Sequence, residues 1–107
     1  MAIIKLVEIL SKREGGPMPK YMVERHLPGF KPEQLPSAAG LAKRATEDMA
    51  KEGVPVRYLG STFVPGEERC LCMFEGPSAE IVRQANERAG LPLERIVEAT
   101  NISPNDI

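Results

Sequence analysis

Two hydrophobic periods alternate along this chain, and their order leaves few ways to fold it. Residues 20–27, KYMVERHL, set Tyr21, Val23 and Leu27 against Met22, Glu24 and His26, the two-residue period of a strand. Pro28, Gly29 and Pro32 then break the chain. Beyond them Leu35, Ala38, Ala42, Ala45 and Met49 recur at three- and four-residue steps, which predicts a helix ending near Gly53 with Pro36 in its first turn. Residues 54–64 and 69–75 are rich in β-branched, aromatic and apolar types and predict two strands, joined by a hairpin loop at Pro65, Gly66, Glu67 and Glu68. Ser78 as N-cap, a stripe of Ile81, Val82, Ala85 and Ala89, and Gly90 as the stop predict a second helix. Residues 94–100 read as a last strand.

Strand, helix, strand, strand, helix, strand packs naturally as a split βαβ arrangement. The expected fold class is therefore α+β: a ferredoxin-like βαββαβ domain, a four-stranded antiparallel sheet with two helices on one face. The first and third strands are then central, the fourth flanks the first, and the second is an edge strand, which suits Pro55. With 107 residues a single core is expected, over residues 18–107. Residues 1–17 form an N-terminal extension dispensable to it. Ile3, Leu6, Val7 and Leu10 give that extension the spacing of a short helix before Gly15, Gly16 and Pro17, and Arg13-Glu14-Gly15 could be encoded by a ribosome-binding sequence ahead of Met18.

The more apolar strand parity should lie beneath the helices: Tyr21, Val23, Val56, Tyr58, Cys70, Cys72, Phe74, Val97 and Ala99. Arg25 shares that parity and is expected at the strand end with its head in water. The other face then carries Leu59, Phe63, Leu71, Met73 and Ile96 among Met22, Glu24, His26, Arg57, Ser61, Glu75, Glu98 and Thr100. Such an apolar face calls for a cover, and a homodimer formed through the open sheet is the simplest, with the N-terminal helix as the alternative. Sheet packing of that kind would leave Glu24, His26, Arg57, Glu75 and Glu98 lining a polar cleft.

A net charge of −1 leaves no basic excess for phosphates, so no nucleic-acid partner is expected. Lys5 and Glu8 interrupt the N-terminal apolar stretch, which argues against a signal peptide or membrane span. Cys70 and Cys72 lie on one strand face, where a mutual disulfide is geometrically poor, so reduced thiols packed in the core and a cytoplasmic location are expected. The chain has one histidine, His26. Glu24, two residues before it on the same face, could join it at a divalent cation, with Glu75, Glu98 or a second protomer completing the site. The same carboxylates could serve as acid and base with Arg57 as anion clamp, although ion-paired solvation of the sheet is the favoured reading of them.

The stretches Glu24-Arg25-His26 before Leu27-Pro28-Gly29, VRYL at 56–59, Cys72 with Glu75, Pro77 and Ser78, and the helix end from Asn86 to Gly90 resemble a family of small bacterial nickel-binding proteins. The likeness spans about residues 18–100. It implies a ferredoxin-like dimer and makes nickel the cofactor to test first. This chain has Asn86, Arg88 and Ala89 where many such proteins carry further histidines, which leaves fewer nitrogen ligands. The expected function is that of a non-enzymatic, homodimeric, divalent-metal (nickel) binder using His26 and Glu24. The rivals are a dimeric α/β-barrel enzyme acting on a small organic molecule and an interaction module.

Overall fold

The computed structural model describes residues 18–107, so the helix expected within residues 1–17 lies outside the described residues. The chain runs β1 (Lys20–His26), α1 (Leu35–Lys51), β2 (Arg57–Val64), β3 (Arg69–Glu75), α2 (Ala79–Ala89) and β4 (Arg95–Ala99). The strands form one antiparallel sheet in the order β2-β3-β1-β4, which bears out the ferredoxin-like α+β arrangement.

Local chemistry sets the helix ends. Ser78 takes an extended conformation and its hydroxyl accepts the Ile81 N–H at 3.3 Å, satisfying one of the free donors of the first turn of α2. Gly90 closes that helix at φ 71, a left-handed conformation that disfavours a Cβ. Pro36 sits in the first turn of α1, where its missing N–H costs no hydrogen bond. Both helices bury small or apolar residues against the sheet, Ala42, Ala45 and Met49 from α1 and Val82 and Ala85 from α2. Tyr21, Val23, Cys70, Cys72 and Phe74 meet them from the two central strands.

Two strands depart from the simple alternation. Pro55 precedes β2, and a bulge follows Tyr58, which pairs with Phe74 while Gly60 pairs with Met73. Leu59 is the extra residue, and Gly60 at φ 149 supplies a backbone conformation that side-chain-bearing residues rarely adopt. The bulge inverts the parity beyond it. Ser61 and Phe63 therefore face the helices opposite Cys72 and Cys70, and the expectation that they line the open face is corrected.

In β4 the register sets Ile96 opposite Val23 and Glu98 opposite Tyr21. Directly opposed residues share a face, so Ile96 packs toward the core and Glu98 lies on the helix side, the reverse of the expected assignment. Val97 joins Met22 on the open face. Its apolar centre is thus Met22, Leu71, Met73 and Val97, all partly exposed.

Candidate metal centre

His26 ends β1 with its side chain half exposed, and its Nε2 lies 3.8 Å from Oε1 of Glu68. Glu68 is the residue after the 3-10 turn Pro65–Glu67, held left-handed at φ 53. Its other carboxylate oxygen, Oε2, accepts the Gly29 N–H at 2.7 Å, and its carbonyl accepts the Leu27 N–H at 2.7 Å. The β2–β3 hairpin and the turn after β1 are thereby tied together, and this places a carboxylate beside the imidazole. The sequence places Glu68 only in the hairpin loop between β2 and β3. The signal for it lies in the register, because His26 pairs with Arg69, the residue that follows it.

The other sequence candidates are drawn elsewhere. Glu24 shares the face of His26, but its carboxylate accepts the Arg95 Nε–H in a close ion pair. Glu75 lies 3.5 Å from Arg57 Nε, so those two candidates hold each other at the far end of the sheet. Glu98 is separated from all of them by the β4 register. Among the described residues no three His, Cys, Asp or Glu side chains come together as a metal-binding group. Chemically, His26 and Glu68 offer one nitrogen and one carboxylate oxygen, half of a mixed donor set.

Beneath α1 lies a second feature, an almost wholly apolar cavity of about 90 Å³. Its floor is Ser61 of β2 with Cys70 and Cys72 of β3, its roof Ala38, Ala39 and Ala42 of α1, and Arg25 of β1 closes one side. Arg25 does not reach water as expected: it is 2% exposed. Its guanidinium donates to Asn86 Oδ1 at 2.5 Å and to the Pro92 carbonyl at 2.9 Å, and Asn86 in turn donates through Nδ2 to the Val82 carbonyl at 2.7 Å. The loop after α2 and the penultimate turn of that helix thus supply buried acceptors, which lets the strand parity carry an arginine inward.

The two free thiols approach to 3.6 Å, Ser61 donates to Cys72 Sγ at 3.0 Å, and the Tyr58 and Ser61 hydroxyls are 2.6 Å apart. Burial, reinforced by the neighbouring Cys72, pushes the Cys70 thiol up to about 12 from 9.0, and burial likewise raises Tyr58. A thiol whose pKa is raised on folding stabilises the fold fully below its unfolded value and loses that contribution as pH rises toward the folded one. Stability against urea should therefore decline between pH 9 and about 12, and decline less steeply in Cys70→Ala. Equal slopes for the two proteins would show that the thiol is not so displaced.

The fold is that of a small βαββαβ domain, with the His26 imidazole beside the Glu68 carboxylate at one end of its open sheet face. The chain belongs to the family described as nickel responsive protein SCO4226-like, whose model matches residues 21–99. It is similar to SCO4226 from Streptomyces coelicolor A3(2), known from a crystal structure, with 27% identity and a TM-score of 0.66, over 78% of this chain and 99% of that one. No curated protein matches.

Proposed function

We propose that this chain is a cytoplasmic, non-catalytic nickel-binding protein, acting as a homodimer and holding the ion through His26 and Glu68, with Glu24 nearby on the same face. The observation that carries the reading is the His26–Glu68 pair in a chain of a nickel-responsive family. An imidazole nitrogen and a carboxylate oxygen suit a borderline divalent ion, and affinity along the first transition row favours nickel over manganese and iron. Two donors do not complete a coordination sphere. A twofold copy packed on the open sheet face would supply a second pair while covering Met22, Leu71, Met73 and Val97. Of the three carboxylates an enzyme could use as acid and base, Glu24 is engaged by Arg95 and Glu75 by Arg57, while Glu98 lies on the helix side of the sheet apart from both, which supports binding over catalysis.

Calorimetry on tag-free protein tests the assignment. His26→Ala should weaken nickel binding by at least about tenfold, because loss of a direct ligand should match or exceed the ~10–100-fold effect of disturbing a ligand's supporting partner. Unchanged affinity in His26→Ala would remove the His26–Glu68 pair from the metal site.

A further inference from the structure

The two buried thiols carry an inference independent of the nickel site. We propose that Cys70 and Cys72 together hold a soft monovalent cation, copper(I), at the floor of the cavity beneath α1. Two residues apart on β3, they point to one face, line the same void and bring their sulfurs to 3.6 Å. With metal–sulfur bonds of about 2.3 Å, one ion can touch both sulfurs at such a separation. Thiolate sulfur is the donor that selects copper(I) over harder ions.

The surroundings favour negative charge on this pair. Ser61 donates its hydroxyl to Cys72 Sγ at 3.0 Å, and the Tyr58 hydroxyl, 2.6 Å from Ser61 Oγ, can donate to Ser61 in turn. Arg25 stands opposite Cys70 in the sheet register, and its charge favours the thiolate there. That guanidinium is 2% exposed, and among the described residues no carboxylate lies within 4.0 Å of it. Binding replaces the two S–H bonds by two sulfur–copper bonds and releases both protons to solvent. The resulting bis-thiolate complex carries a single negative charge, which offsets the buried positive charge of Arg25 without the two groups having to touch. The wall selects the ion further, since almost no polar surface faces the void. Zinc takes four ligands and nickel(II) a square-planar or tetragonal set, whereas copper(I) is stable on two thiolates alone. Phe30, Ala38 and Leu91 line both this cavity and the adjoining surface groove, which marks the way in.

The test is anaerobic titration of the whole, tag-free, metal-free chain with tetrakis(acetonitrile)copper(I). Binding is read by ultraviolet sulfur-to-copper charge transfer and by competition with bicinchoninate, a chromophoric copper(I) ligand. One copper per chain is expected, held against bicinchoninate, and X-ray absorption should find two sulfur neighbours on each ion. Excess nickel(II) should leave the charge-transfer band in place. Cys70→Ala and Cys72→Ala, checked for folding by circular dichroism, should each weaken copper binding at least about tenfold, because each removes a direct ligand. If neither variant folds, the X-ray absorption spectrum of the wild-type chain decides the matter. A wild-type chain that yields its copper to bicinchoninate or to nickel, bound copper with only nitrogen and oxygen neighbours, or equal binding by a folded cysteine variant would overturn the proposal.

Discussion

Phe74→Ala is expected to destabilise the domain by about 3–5 kcal/mol, the range for deleting a fully buried aromatic ring. Phe74 has no exposed surface and is the largest of the fully buried side chains. It lies on the central strand β3, with the Tyr58 ring at a centroid distance of 5.5 Å. The sheet beneath both helices is pinned by its hydrogen-bonded register and has little freedom to close around the lost ring. Domains of this size have about 5–15 kcal/mol of total stability, so urea denaturation should show a large fall in midpoint with an unchanged slope. A loss below about 1 kcal/mol would mean that the site collapses freely and that Phe74 does not anchor the core.

Asn86→Leu should cost about 3 kcal/mol although it adds apolar surface to a buried position, because it strands a desolvated guanidinium. Asn86 is 1% exposed and accepts from Arg25 while donating to the Val82 carbonyl. The double variant Arg25→Met with Asn86→Leu removes the charge together with its acceptor. Its loss should be clearly smaller than the sum of the two single losses, by at least about 1 kcal/mol, as interacting neighbours behave. Strict additivity in that cycle would show that the Arg25–Asn86 bond contributes nothing to the fold.

Both effects depend on details that were unequally legible in the sequence. Breakers, caps and periods located the four strands and both α-helices of residues 18–107 because each signal is local: Ser78 and Gly90 bound α2, and Pro36 opens α1. Which face a strand residue takes is not local. Ile96 and Val97 are adjacent and both apolar, so five-residue β4 has no parity of its own and takes it from pairing with β1. The bulge at Leu59 reverses Ser61 and Phe63 through the backbone of Gly60, and a single glycine in a strand pattern does not say on which side of it the register slips.

The same limit governs the site. His26 was found as the chain's one imidazole, but its partner Glu68 comes from a hairpin 42 residues away and is held there by backbone bonds to Leu27 and Gly29. Glu24 was legible as a neighbour on the same face, whereas its capture by Arg95 depends on the β4 register. Arg25 had the parity of the core all along. Its burial was hidden because the neutral acceptors that make it tolerable, Asn86 and Pro92, belong to the helix and loop packed over it.

Native mass spectrometry of the tag-free chain titrated with nickel tests the central claim most directly, since it reads assembly and metal content together. The account predicts a homodimer that takes up nickel in a fixed ratio. Leu71→Lys, at the centre of the open sheet face, should convert it to a folded monomer that loses the metal at the same nickel concentration. A wild-type chain that stays monomeric, or a Leu71→Lys monomer that retains nickel as tightly as the wild type, would contradict a site completed between two copies.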